Sequence, residues 1–221
     1  MLYGIIADIH SNLEALQAIL PELRGVDQII CLGDIVGYGP NPNECLEVIR
    51  QNRIVSIAGN HDRAAVGLME TVRFNDSARR AIEWTGAELT PANRKYLADL
   101  PLLLKFPDFQ VVHGSLRSPL EEYIFGLKEA LPTTERMSKN LLFVGHTHLP
   151  LCLKERGKEI INPGAVGQPR DGDPRASFGI YDSDKNLFTF CRAEYNIPPV
   201  QEKMKNAGLP LSLIERIRFG G

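Results

Sequence analysis

Short apolar runs in this chain repeatedly end in Asp, Asn or His. Asp8, Asp34, Asn60, His113 and His146 each follow such a run, with at most one glycine between. In open α/β sheets, ligands collect beyond the carboxyl ends of the strands. Runs with these ends are therefore expected to converge on one rim. All five histidines, His10, His61, His113, His146 and His148, belong to this pattern. Histidine is the commonest protein metal ligand and moves protons near neutral pH, so the pattern reads as a metal centre.

The element order fits that placement. Residues 2–7, 28–32 and 54–58 read as buried strands, with helices over 13–23 and 43–51 between them. In the first helix Leu13, Leu16, Ile19, Leu20 and Leu23 recur at helical spacing, with Asn12 or Ser11 as N-cap. Such alternation, with near-continuous apolar strands, is the signature of a parallel sheet covered on both faces. Helices are expected over 76–85 and 91–99, the second with Pro91 in its first turn. The texture then changes to short strands over 102–106, 109–112, 141–144, 151–154, 159–161, 177–181 and 187–191. These fit a second, largely antiparallel sheet. Two mixed sheets packed together with helices outside make an α/β fold in four layers, an α/β/β/α sandwich. The 221 residues are read as one domain. Its core spans about residues 2–192, and the C-terminal extension 193–221 holds Pro198, Pro199 and an amphipathic piece over 211–217.

Composition narrows the function classes. A hydrophobic content of 43% supports a packed core, and a formal net charge of −2 gives no bulk basic field. Neither nucleic acid nor membrane is an expected partner on that ground. Cys31, Cys45, Cys152 and Cys191 lie far apart with no C-x-x-C pair. That argues against a zinc knuckle or a disulfide framework and for reduced thiols, so the expected location is cytoplasmic. No apolar stretch approaches the ~20 residues of a membrane span. Residues 1–7 carry no basic leader and run straight into Asp8, so no cleaved signal is expected.

The ligand types have chemical meaning. Within Asp8-x-His10 and His146-x-His148, alternate residues of an extended segment point the same way. Imidazoles with carboxylates suit manganese, iron, cobalt, nickel or zinc, and the lack of thiolates speaks against a structural zinc site. Asp8, His10, Asp34, Asn60, His113, His146 and His148 are too many ligands for one ion. With one bridging carboxylate they serve two ions and leave room for water and substrate. In two-metal phosphoester hydrolases the ions sit about 3.5–4 Å apart and clamp the attacking and leaving oxygens.

The ordered blocks Asp8-x-His10, Gly33-Asp34, Gly59-Asn60-His61-Asp62, His113 and Gly145-His146-x-His148 resemble the calcineurin-like metallophosphoesterase superfamily. They look closest to its small bacterial and archaeal phosphodiesterase branch, over roughly residues 2–192. The resemblance implies two divalent transition-metal ions, manganese first, with iron, nickel, cobalt or zinc as alternatives. It gives one ion to Asp8, His10 and His148, the other to Asn60, His113 and His146, and makes Asp34 the bridge. A bridging hydroxide would be the nucleophile. Asp34, Asn60 and His61 would be the catalytic group, with His61 facing the leaving-group oxygen.

The chain also departs from the pattern. Protein phosphatases of the superfamily carry G-D-x-V-D-R-G after the second strand, whereas here Gly37 and Tyr38 replace the second acid and the arginine. This weakens a protein-phosphatase reading and leaves open what orients His61, with Asp62 adjacent. Residues 36–42 are expected to form a loop over the site, with Tyr38 a stacking surface for substrate. The run 162–170 resembles the family's N-P-G-S-x-G-x-P-R and is expected to turn back near the metals, bringing Arg170 to the substrate, with Arg175 a weaker candidate. The expected activity is hydrolysis of a small phosphodiester or nucleotide. The alternatives are a phosphomonoesterase or dinucleoside polyphosphate hydrolase, and a protein-interaction scaffold on the same fold. A nuclease is disfavoured by the missing basic surface. A homodimer through the middle helices or the tail is compatible with the sequence.

Overall fold

Strand β1 (Leu2–Ile6) is central because both its faces are apolar: its residues beyond Leu2 are all buried. The computed structural model describes residues 1–221. After β1 come α1 (Leu13–Ile19), β2 (Gln28–Cys31), α2 (Pro42–Gln51), β3 (Val55–Ser56), α3 (Asn60–Ala65), α4 (Asp76–Glu88) and α5 (Pro91–Asp99). Next are β4 (Leu103–Lys105), β5 (Phe109–Val112), α6 (Leu127–Thr134), β6 (Leu141–Phe143), β7 (Pro150–Glu155) and β8 (Lys158–Pro163). The chain ends with β9 (Ala176–Asp182), β10 (Leu187–Ala193), α7 (Ile197–Asn206) and α8 (Leu211–Arg216). No helix is long and apolar enough to cross a membrane.

The strands form two five-stranded sheets, ordered β10-β9-β1-β2-β3 and β4-β5-β6-β8-β7. In the first, β1, β2 and β3 run parallel and β9 and β10 antiparallel. In the second, β5, β6 and β8 run parallel and β4 and β7 antiparallel. Both sheets are thus mixed, as expected, although the second is less antiparallel than its run of short strands suggests, with β4 and β7 antiparallel only at its two edges. The β9–β10 hairpin also leaves it to pair with β1, in the register Tyr3↔Tyr181 and Ile5↔Gly179.

Side-chain parity builds the layers. Tyr3, Ile5 and Ala7 meet Ile30, Leu32, Phe109, Val111 and Phe143 between the sheets. Ile6 and Cys31 face the other way, onto Leu16, Ile19, Cys45, Leu46 and Ile49 of α1 and α2. Val112, Leu142 and Ile160 face outward from the second sheet, onto Ala130 of α6. The result is the expected four-layer α/β/β/α sandwich. Asn12 caps α1, its side chain accepting from the Ala15 N–H at 3.1 Å. That helix stops at Ile19, just before Pro21, rather than reaching residue 23. Helices α3, α6 and α7 lie where the sequence pattern had shown none. Helix α7 starts at Ile197 and carries Pro198 and Pro199 in its first turn, which tolerates them.

Candidate metal centre

The chain leaves its strands through left-handed residues at this rim. Asp8 (φ 54°), His10 (48°), Asp34 (53°), His146 (71°) and His148 (62°) all have positive φ. For an L-residue this conformation costs roughly 1–2 kcal/mol, and such strain clusters at functional sites. Main-chain bonds knit these loops together. Asp8 N–H donates to Gly33 O at 3.1 Å, His10 N–H to Asp34 O at 2.9 Å, and Gly145 N–H to His113 O at 2.8 Å.

The side chains meet in two groups that share one carboxylate. Asp8, His10, Asp34 and His148 form one cluster, and Asp34, His113 and His146 the other, all buried. Asp34 Oδ2 lies 3.5 Å from His10 Nε2 and 3.4 Å from His113 Nε2. Asp8 Oδ1 lies 3.5 Å from His148 Nε2. Asn60 Oδ1 joins the second group at 3.1 Å from His113 Nε2, which is also 3.1 Å from His146 Nδ1.

The outer ring nitrogens decide which lone pairs face inward. His10 Nδ1 donates to Val36 O at 3.1 Å, His113 Nδ1 to Leu32 O at 2.8 Å and His148 Nδ1 to Gln168 O at 2.6 Å. A carbonyl only accepts, so in the neutral rings each inner Nε2 is left as a bare lone pair. Holding a ligating imidazole by its other N–H is how proteins orient metal ligands. Donors sharing an ion at about 2.1 Å sit roughly 3 Å apart in adjacent positions, which matches these separations. The residues fit two divalent ions.

Acids and histidines respond to this crowding. Burial pushes the Asp8 carboxyl up to about 7, with Asp34 adding to the rise and His113 opposing it. Burial also opposes charge on Asp34, but His113, His61 and His10 outweigh it and hold that carboxyl well below its ordinary value. Burial likewise opposes charge on His113, yet Asp34 and Asp8 lift it to about 9. Burial drives His10 and His148 well down, and brings His61 to about 4 and His146 to about 3.

His61 lies beside the cluster, 4.7 Å from the His10 ring and 4.4 Å from that of Tyr38. Phe74 meets it edge-on at 5.1 Å. Its backbone N–H donates to Asp34 Oδ1 at 2.9 Å, while its Nδ1 is buried with no partner. Asp62 does not orient it. That carboxylate accepts from the Val36 and Gly59 N–H groups at 3.0 and 2.9 Å, pinning the loop and capping α3. Aromatic packing is what holds the His61 ring.

Tyr38 is only 5% exposed, so it is a wall of the site more than an open platform. Its hydroxyl accepts from Arg170 Nη2 at 3.4 Å. Arg175 lies elsewhere, paired with Asp173 at 2.6 Å. The run 162–170 does turn back on the rim: Asn162 Nδ2 donates to Gly145 O at 2.7 Å, and Gln168 O holds His148. Two neighbours had no motif to reveal them. Tyr123 stacks on the His146 ring at 3.8 Å, and Arg216 of α8 lies 4.7 Å from the Tyr38 ring centre.

A cleft of about 240 Å³ opens from Asn60, His61 and His146, walled by Met69, Phe74, Leu120 and Tyr123. Beyond Arg73 and Glu121 it continues as a groove of about 380 Å³.

Fold and buried Asp/His cluster together define a metallophosphoesterase. The chain belongs to the calcineurin-like phosphoesterase superfamily, whose domain model matches residues 1–186, and it is a phosphoric ester hydrolase of the small bacterial and archaeal branch. An uncharacterized protein of Methanocaldococcus jannaschii is 39% identical, covering 98% of this chain and 97% of its own. The phosphodiesterase YfcE of Escherichia coli is 26% identical over 80% of this chain and 85% of its own. The crystal structure of a metallophosphoesterase from Sphaerobacter thermophilus superposes with a TM-score of 0.92, at 43% identity, over 100% of both chains.

Proposed function

We propose that this chain is a two-metal phosphodiesterase acting on a small phosphodiester or nucleotide, with residues 1–221 working as one unit. The observation that carries the reading is the shared carboxylate: Asp34 stands within 3.5 Å of a histidine from each ligand group. In this reading Asp8, His10 and His148 hold one ion, Asn60, His113 and His146 the other, and Asp34 both. Bound there, divalent ions supply Lewis acidity and bring the pKa of water towards neutrality. The nitrogen and oxygen donor set suits manganese, with iron, nickel, cobalt and zinc as competitors.

His61 acts on the leaving group. Burial brings it to about 4 and keeps it neutral near pH 7, so its ring N–H serves the departing oxygen as a hydrogen-bond donor that stabilises the developing charge. Asn60 and Asp34 place it: Asn60 precedes it at the start of α3, and Asp34 accepts its backbone N–H. The cleft favours a diester over a monoester. Its walls offer Met69, Phe74, Leu120 and Tyr123 to a second ester substituent. Its cation Arg73 is already engaged by Glu121 at 3.2 Å, leaving little for a monoester's second charge. The unpaired cysteines fit a reducing compartment, and the cytoplasm is the proposed location.

The test is hydrolysis of bis-p-nitrophenyl phosphate and p-nitrophenyl phosphate, side by side, on metal-stripped protein with Mn²⁺ restored. The expected result is metal-dependent turnover with the diester preferred. Two ions bound per chain with no turnover of either ester would favour the scaffold reading instead.

A further inference from the structure

Arg216 belongs to α8, thirty residues beyond the stretch that the family's domain model covers, 1–186. Yet it reaches the centre. Its guanidinium carbon lies 4.7 Å from the Tyr38 ring centre, and its Nη2 donates to Gln168 Oε1 at 2.5 Å. Arg170 grips the same two residues, donating to Tyr38 Oη at 3.4 Å and to Gln168 Oε1 at 3.3 Å. Neither guanidinium has a carboxylate partner: Asp171 is taken by Arg192 and Asp173 by Arg175. Both Nε atoms are buried and unpartnered. A half-buried arginine without an acid is an expensive way to stabilise a surface.

What the two arginines hold explains their place. Gln168 presents its side chain to them and its main-chain oxygen to His148 Nδ1, at 2.6 Å. Tyr38, left-handed at φ 54°, packs against His10 at 4.6 Å and His61 at 4.4 Å. The tail is anchored to bring Arg216 there: Val200, Met204, Leu209, Leu213 and Ile217 pack with Tyr38, Ala78 and Ala81 in one buried cluster.

We propose that Arg216 is a positioning residue of the active site, clamping Tyr38 and Gln168 together with Arg170 so that His61, His10 and His148 keep their orientation. This inference rests on the two-metal phosphoesterase reading. It makes the C-terminal segment a working wall of the site and not an appendage.

The test uses the full chain with Arg216→Met and Arg216→Lys, each checked for cooperative thermal unfolding. Misplacing catalytic groups by about an ångström costs up to a hundredfold in rate. In the Mn²⁺-loaded enzyme Arg216→Met is expected to lower kcat between about ten- and a hundredfold on an alkoxide-leaving diester, with KM moved less than about threefold. The loss should be smaller on bis-p-nitrophenyl phosphate, whose leaving group needs little help from His61. Arg216→Lys should recover part of the rate, because it keeps a donor to Gln168 but not the flat face on Tyr38. A second readout needs no metal: the downfield proton signal of His148 Nδ1–H, identified by its loss in His148→Asn, should broaden or exchange faster in Arg216→Met. Equal losses on both esters, or wild-type kcat with an unchanged His148 signal in a folded Arg216→Met, would overturn the proposal. An inactive wild type with metals bound would instead sink the phosphoesterase reading, leaving the His148 signal to decide the clamp.

Discussion

The Nε2 atoms of His10 and His148 face each other at 3.0 Å, each ring held from behind by a backbone carbonyl. With both outer nitrogens donating, these inner nitrogens oppose two lone pairs, next to the Asp8 and Asp34 carboxylates. The protein has assembled repulsion that a cation relieves. Metal binding is therefore expected to stabilise the fold strongly. Free Mn²⁺ at a hundred times its dissociation constant adds about 2.7 kcal/mol per site, or roughly 5–10 °C in Tm for a chain of this size. Thermal unfolding with and without Mn²⁺ after chelation checks this; an unchanged Tm would mean that the cluster holds no ion.

Metal affinity should rise with pH in two stages. A ligand must shed its proton to bind an ion. Asp8 is raised to about 7 by burial, and His113 to about 9 because Asp34 and Asp8 outweigh the effect of burial. Protons therefore compete with metal below about 9 at His113, and again below about 7 at Asp8. Calorimetric titration of stripped protein with Mn²⁺ at pH 7, in buffers of different ionisation enthalpy, should show net proton release. Proton uptake on binding would reverse the sign of this argument.

His61→Ala and Asp34→Ala separate chemistry from ligation. No inner nitrogen or oxygen of either ligand group comes from His61, so its alanine variant should keep two ions per chain. On an alkoxide-leaving ester it should lose about 10²–10⁴-fold in kcat. Asp34 is shared by both groups, and its loss should empty both positions and abolish turnover. Elemental analysis beside kinetics reads the two outcomes; normal turnover by His61→Ala on the alkoxide substrate would remove its role.

Much of this site was legible because its chemistry sits at strand ends. An apolar run stopping at Asp8, at His113, or one glycine before Asp34, Asn60 and His146 marks both a strand and its rim, and the structure brings these residues together. What escaped has physical reasons. The alternation in β9 and β10 shows a two-faced strand but names no partner, and so their pairing with β1 was not visible. Helix α3 is six residues opened by a glycine, too short for periodicity to show. Tyr123 and Arg216 reach the site from a loop and a tail helix, through contacts that only the folded chain creates. Arg175 shared its local sequence with Arg170 but found Asp173 two residues away.

Tyr123 offers a prediction the sequence could not. It covers the His146 ring at 3.8 Å with the planes 21° apart, and its own ring lines the cleft. His146 Nε2 makes no well-formed hydrogen bond of the kind Gln168 O makes with His148, only a weaker approach to the Glu121 backbone. Stacking of this kind is worth about 0.5–1.5 kcal/mol. Tyr123→Ala should weaken the ion held by Asn60, His113 and His146 by roughly two- to tenfold, while Tyr123→Phe should not. Competition with a coloured chelator measures this, and equal affinities in all three proteins would show that the stack is idle.

Gly59 is the tightest test of the bridge. A Cβ there would come 2.0 Å from Asp34 Oδ1 and 2.4 Å from the Asp34 backbone nitrogen. Its φ of −96° is open to any residue, so the objection is space and not conformation. The same glycine donates its N–H to Asp62, so the β3–α3 turn cannot retreat without breaking that bond. Relief must come by displacing Asp34 itself, main chain and carboxylate together, from its place between His10 and His113. Gly59→Ala should therefore cost about 1–3 kcal/mol of stability from overpacking. It should also lose both ions and all metal-dependent turnover, although the residue carries no ligand atom. A folded Gly59→Ala that still binds two ions per chain would show that Asp34 has room to move and that the bridge is less constrained than these distances require.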